Sequence, residues 1–178
     1  MSVRLATLDD LPALDALISA SVRGLSAGFY TPAQIDAAMT HVFGVDTQLI
    51  ADGTYYVIDR AAPAAAGGWS RRETLFGGDQ MKRGVDPLLD PRTQPARIRA
   101  FFVHPESARR GLARQLYHAC ARAAYEAGFR QFELMATLPG EPFYNALGFA
   151  VVERVVVAVG GRVDVPFTRM TRRIDAPA

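Results

Sequence analysis

The stretch Phe101-Phe102-Val103-His104-Pro105-Glu106-Ser107-Ala108-Arg109-Arg110-Gly111-Leu112-Ala113 reads as a strand, a tight turn and the first turn of a helix. Such a turn presents backbone N–H groups that have no intrahelical acceptor, at the positive end of a helix dipole. Gly111 lets a ligand approach the backbone closely, and Arg109, Arg110 and Arg114 add charge. Together these suit an anion such as a pyrophosphate. A helix start with solvated arginines fits the same residues, and the residues alone do not choose. A second stretch, Glu141-Pro142-Phe143-Tyr144-Asn145-Ala146-Leu147-Gly148-Phe149, places a tyrosine downstream of Gly111. A phenol is protonated at neutral pH and can serve as a general acid. Flanked by Phe143 and Leu147, Tyr144 reads equally as an aromatic core residue.

Other chemistry is weaker. Gly68-Trp69-Ser70-Arg71-Arg72 begins like a Gly-x-Ser-x-Gly nucleophile elbow but lacks the second glycine. Cys120 falls on the apolar stripe of a helix, so it reads as a small buried hydrophobe and not as a nucleophile. His41, His104 and His118 show no paired metal-ligand spacing, and no metal is expected. Trp69, Phe29 and Tyr30 could wall an acceptor pocket or belong to the core.

The elements that must position these residues follow from periodicity and turn signals. Val3 to Ala6 reads as a strand. A helix opens at Asp9-Asp10-Leu11-Pro12 with the stripe Leu11, Leu14, Leu17, Ile18 and Val22. Thr31-Pro32-Ala33-Gln34 predicts a capping box at a second helix. Strands are expected at 55–59, 64–72, 97–103 and 130–136. Helices are expected at 109–127 and 142–147. The first of these should bury Leu112, Leu116, Cys120, Ala123 and Ala127 and wet Arg110, Arg114, His118, Arg122 and Glu126. A closing hairpin, 151–159 with 163–171, turns at Gly160-Gly161. Gly77 to Pro95 reads as a long loop, expected to be a partly ordered flap that borders an acceptor, contacts a second subunit or is mobile. The four arginines Arg71, Arg72, Arg97 and Arg99, on two neighbouring strands, could favour an acidic acceptor, but are expected to face outward into solvent.

The chain has 178 residues, 49% hydrophobic and 21% charged, which is ordinary globular composition and suits one domain over residues 1–178. The net charge of +2 is scattered, so no nucleic-acid partner is expected. Lys82 is the lone lysine among 20 Lys and Arg, and it stands in neither a P-loop nor an apolar Schiff-base setting. The arginine excess reads as codon bias. One cysteine and no apolar leader or spanning run make a cytoplasmic location, with no membrane partner, the expectation.

The two chemical stretches, at this spacing, resemble the GNAT superfamily of N-acetyltransferases from about Ile98 to Val152. The first is similar to the family's Gln/Arg-x-x-Gly-x-Gly/Ala motif, with Ala108 at the Gln/Arg position; the second is similar to its Phe-Tyr-x-x-Leu-Gly-Phe segment. The resemblance implies an α/β fold of α+β type: a single GNAT-like domain whose mixed, mostly antiparallel central sheet has helices on both faces. Strands 97–103 and 130–136 would run parallel and splay around the pantetheine arm of acetyl-CoA. It implies acetyl transfer from acetyl-CoA to a primary amine by direct attack. Tyr144 would be the catalytic acid, and a backbone N–H of Phe102 or Val103 would stabilise the oxyanion. Arg109, Arg110, Gly111, Leu112, Ala113 and Arg114 would cradle the pyrophosphate. The general base is not visible: Glu73 is one candidate, and a water wire is another. The acceptor, a small molecule or peptide amine, is not named by the sequence, and a homodimer is left open. A non-catalytic acyl-CoA sensor on the same scaffold is the competing reading.

Overall fold

The computed structural model describes residues 2–176. One seven-stranded sheet forms its centre: β1 (Val3–Leu5), β2 (Tyr55–Asp59), β3 (Pro63–Ser70), β4 (Ala96–Val103), β5 (Gln131–Thr137), β6 (Ala150–Val159) and β7 (Val163–Arg173). The strand order is β1-β2-β3-β4-β5-β7-β6. Neighbours pair antiparallel except β4 with β5, which run parallel. Successive side chains of a strand point to opposite faces, and helices cover both. Tyr55 and Val57 of β2 pack with Leu14, Leu17 and Ile18 of α1 (Leu11–Leu25). Ile58, on the opposite face, packs with Leu112 and Leu116 of a later helix.

Local signals account for most element boundaries. In α2 (Pro32–His41), Thr31 Oγ1 accepts from the Gln34 N–H at 3.2 Å, and Gln34 Oε1 accepts from the Thr31 N–H at 2.9 Å. A short helix, α3 (Thr47–Ala51), adds a third helix before β2 that the sequence reading lacked. It is too short for a periodicity and is fixed by Asp46, whose carboxylate accepts from the Gln48 N–H at 3.1 Å.

The helix expected at 109–127 starts later, as α4 (Leu112–Glu126). Arg109 (φ 63°) and Gly111 (φ 79°) hold left-handed backbone, which no right-handed helix can include. Its buried face is Leu112, Leu116, Tyr117, Cys120 and Ala124; Ala127 is exposed and Ala123 only half-buried. Tyr117 takes the inside position because its ring packs against Phe132 and Phe149.

The segment 77–95 is anchored, in contrast to the expected flap. Asp79–Met81 forms a 3₁₀ turn. The Gly78 N–H donates to the Val42 carbonyl at 2.8 Å, Lys82 pairs with Asp46, and Leu89 is buried in the main core. The arginines beside it are also not solvated as expected, Arg71 excepted. Arg72 pairs with Asp52 at 2.7 Å, Arg97 pairs with Glu133, and Arg99 is only 3% exposed.

Two irregularities shape β4. Its parallel ladder with β5 consists of Ala96↔Phe132 and Arg97↔Glu133, after which the strands diverge. On the β3 side, Ala66↔Phe102 and Gly68↔Arg99 leave one extra residue in β4, and Ala100 takes φ 54° there. Such a bulge bends the strand and re-aims its groups. Gly67 admits the bend: a Cβ at this position would meet the Phe101 ring at 2.6 Å.

Candidate active site

Where β4 and β5 part, a groove of about 820 Å³ opens. One wall follows β4 from Ile98 to Val103, and the groove passes on to the loop and first turn of α4. That downstream end is a place of unengaged backbone. The first-turn amides of Leu112, Ala113 and Arg114 have no intrahelical acceptor. The left-handed residues on either side of Arg110, Arg109 and Gly111, turn the loop into a concave arrangement of N–H groups that favours anions. A Cβ on Gly111 would meet nothing within 4 Å, so the space before its backbone is open. Arg109, Arg110 and Arg114 are exposed, and among the described residues none forms a salt bridge. Arg109 and Arg114 line the groove, whereas Arg110 lies outside its lining.

Midway, the groove meets Tyr144 on α5 (Glu141–Ala146). Its ring packs edge-on against Phe143 and Phe149, with centroids at 5.1 and 5.6 Å, and against Phe101 at 6.4 Å. Burial pushes the phenol well above its ordinary value, so the hydroxyl keeps its proton. The short α5 is tied to the β6–β7 hairpin by Glu141. That carboxylate accepts from Thr168 Oγ1 at 2.6 Å and from Arg154 Nη2 at 2.9 Å. The same contacts hold the Glu141 carboxyl below the usual carboxylate range.

The two amides proposed for the oxyanion differ. The His104 N–H donates to the Ala64 carbonyl at 2.9 Å. Antiparallel alternation then turns the Phe102 N–H toward β3 and the Val103 N–H toward the gap. There Ser21 Oγ of α1 accepts it at 3.2 Å. Sequence reasoning missed Ser21, which sits on the buried stripe of α1 with no distinguishing neighbour.

The upstream end is aromatic, on the sheet face that α1 covers, and its aromatic wall reaches along β4 to Phe102. Phe167 stacks obliquely with Phe76 at 5.7 Å, and Phe43 stands edge-on to both Phe167 (6.4 Å) and Phe102 (6.2 Å). Phe29, 50% exposed, also lines the groove, and Val42 and Met135 complete the apolar wall. Of the three aromatic residues that sequence suggested here, Phe29 alone lines the groove. Trp69 is core, packed on Phe129. Tyr30 donates to the Pro166 carbonyl at 2.7 Å and accepts from the Leu138 N–H at 2.9 Å. Arg99 borders this end but is fully engaged. It donates to Asp46 at 2.8 Å, to the Thr74 carbonyl at 2.8 Å and to the Gly77 carbonyl at 2.6 Å. Among the described residues, no Asp, Glu or His lines the groove. Glu73, the candidate base, is exposed and outside it. Cys120 is buried in the core and outside the groove's lining, and burial pushes its thiol up. No group of three or more metal-ligating side chains occurs among the described residues.

Residues 89–173 match the family model of the acetyltransferase (GNAT) domain. No curated protein sequence matches the chain. Solved structures share its fold at low identity. A GCN5-related N-acetyltransferase from Rhodopseudomonas palustris is 18% identical with a TM-score of 0.70, covering 97% of this chain and 94% of that one. The PaiA N-acetyltransferase of Thermoplasma acidophilum, solved in complex with coenzyme A, is 13% identical with a TM-score of 0.65, covering 97% and 98%. YncA of Salmonella typhimurium, solved with acetyl-CoA, is 17% identical with a TM-score of 0.61, covering 100% and 96%. Residues 89–173 thus match the acetyltransferase (GNAT) domain model, and the whole chain has the fold of these N-acetyltransferase structures.

Proposed function

We propose that the chain is an acyl-CoA-dependent N-acyltransferase that transfers acetyl from acetyl-CoA to an amine by direct attack. The observation that carries this reading is the continuity of the groove, which joins an anion cradle at Arg109–Arg114 to a protonated tyrosine and then to a separate aromatic end. The cradle suits the pyrophosphate of the donor. The gap between β4 and β5 suits its extended pantetheine arm, whose amides match unpaired strand groups. Two structural neighbours solved with coenzyme A or acetyl-CoA support the same donor.

In this reading the amine nitrogen bonds to the thioester carbonyl carbon, and negative charge develops on the carbonyl oxygen. The Val103 N–H, which donates to Ser21 Oγ at 3.2 Å in the ligand-free protein, is the backbone donor of the kind that would stabilise such charge. As the carbon–sulfur bond breaks, Tyr144 gives its proton to the departing thiolate. The phenolate so formed is refilled from the proton that the amine loses.

Calorimetry with acetyl-CoA and an assay of thiol release test the reading. Acetyl-CoA should bind and raise the melting temperature. Gly111→Val should abolish both effects, because it forces a β-branched side chain into φ 79° and fills the open space before the amides. A folded variant that binds acetyl-CoA like the parent would put the cradle elsewhere.

A further inference from the structure

The groove's upstream end lacks the two things a basic amine needs. An alkyl amine arrives as an ammonium ion, since its ordinary value near ~10.4 leaves only about one molecule in a thousand neutral at pH 7.4. To react it must first lose a proton to a base, and to enter a low-dielectric pocket it needs a compensating anion. Among the described residues, no carboxylate or imidazole lines the groove. Of the carboxylates near it, Asp46 is almost wholly buried and held by both Arg99 and Lys82, Glu141 is engaged by Arg154 and Thr168, and Asp79 accepts from the Thr47 N–H. The one charged side chain that borders this end, Arg99, is itself a cation.

What the end offers instead is flat apolar surface. Phe43, Phe76 and Phe167 form one contiguous aromatic wall, and Phe29, half-exposed, also lines the groove. This wall lies beside Arg99, whose guanidinium holds the Thr74 and Gly77 carbonyls on either side of Phe76. Arg99 precedes Val103 by four residues of β4, roughly 13 Å at strand spacing. Phe43 meets Phe102 on the sheet face that α1 covers, whereas Leu112 and Leu116 of α4, whose first turn forms the cradle, pack on the other face, so the aromatic wall and the anion cradle lie on opposite faces of the sheet.

From this we infer that the acceptor is a weakly basic aromatic amine, one that is already neutral at physiological pH and needs no general base. The inference rests on the acetyl-transfer reading above and narrows its substrate class. The ring of such an amine is held by edge and face contacts with the phenylalanines. Its nitrogen carries a free lone pair on arrival. The C–N bond forms as the C–S bond breaks, and the proton shed by nitrogen replaces the one Tyr144 gives to sulfur. The missing base is then a property of the substrate and not a gap in the enzyme.

The test uses two isomers of equal size, 4-methylaniline and benzylamine, in the thiol-release assay with acetyl-CoA. Binding of acetyl-CoA is measured separately by calorimetry. At about pH 7, kcat/KM for 4-methylaniline should exceed that for benzylamine by at least ~10-fold, following the difference in neutral fraction. Its profile should be flat from about pH 6 to 8.5, whereas that of benzylamine should climb about tenfold per pH unit. Phe29→Asp, which sets a carboxylate in the groove's lining at an exposed position, should shift the ratio toward benzylamine. Benzylamine equal to or faster than its isomer overturns the inference and leaves acetyl transfer standing. Acetyl-CoA binding with neither isomer accepted also overturns it. Failure of acetyl-CoA to bind overturns the underlying reading of the groove instead.

Discussion

Arginines stand at both ends of β4, and their fates are opposite. At the upstream end Arg97 pairs with Glu133, and Arg99 is enclosed by Asp46 and two carbonyls. Past the downstream end Arg109, Arg110 and Arg114 remain in solvent without a partner among the described residues. The upstream pair of arginines holds the molecule together; the downstream set is available to a ligand. Residue type does not distinguish them. What does is the surroundings of each. Arg97 and Arg99 are paired to β3 within the ladder and lie beside the carboxylates of Glu133 and Asp46, whereas an uncapped helix start, with no carboxylate in reach among the described residues, accompanies the three downstream arginines.

The largest effect expected from testing this contrast is at the upstream end. Asp46→Asn leaves the Arg99 guanidinium buried without its anion, which should cost about 3–5 kcal/mol. The melting temperature should then fall by roughly 10 °C, while the folded fraction binds acetyl-CoA as before. A melting temperature within a degree or two of the parent would mean that Arg99 does not depend on its anion.

Between the two ends, Tyr144→Phe removes the hydroxyl and keeps the ring among Phe101, Phe143 and Phe149. Turnover should fall about 10²-fold with acetyl-CoA affinity nearly intact. Unchanged turnover, when chemistry limits the rate, would remove Tyr144 from the acid role.

At the downstream end the pattern should invert. Replacing Arg109 and Arg114 together by alanine should leave the ligand-free melting temperature almost unmoved, because neither forms an ion pair. Acetyl-CoA should bind roughly 10-fold more weakly, with a smaller dependence on salt. Loss of stability without loss of affinity would erase the contrast between the two ends.

The smallest effect belongs to Cys120→Ala, inside the same α4 whose first turn forms the cradle. A small buried side chain is lost, so stability should drop by about 1 kcal/mol. Turnover per folded molecule should not change. An inactive folded variant would call for a covalent step.

The downstream end was legible in sequence because its signals are local. Gly111, the arginines around it and the helix that follows lie within a few residues, and the capping box at Thr31–Gln34 and the turn at Gly160-Gly161 are legible for the same reason. The upstream end was not. Phe43, Phe76 and Phe167 come from three distant segments and meet only when β7 and the segment after β3 close over α2. The partner that buries Arg99 lies 53 residues before it. The start of α4 was misplaced because a non-glycine residue, Arg109, adopts left-handed backbone, and its residue type does not announce that. The β4 bulge at Ala100 was invisible for the same reason.

The brief ladder between β4 and β5 also bears on how the protein keeps its own strands apart from those of others. An unpaired strand edge ordinarily invites a neighbouring chain to add itself, and many proteins guard such edges with charge or proline. Here two edges lie inside the molecule. The gap between them tapers to closure at Ala96↔Phe132 and Arg97↔Glu133. A wedge of that shape admits a slender, extended molecule from its open side but has no room for a full strand that must run parallel to both walls. The protein can thus leave backbone groups unpaired in its interior without offering a template for aggregation.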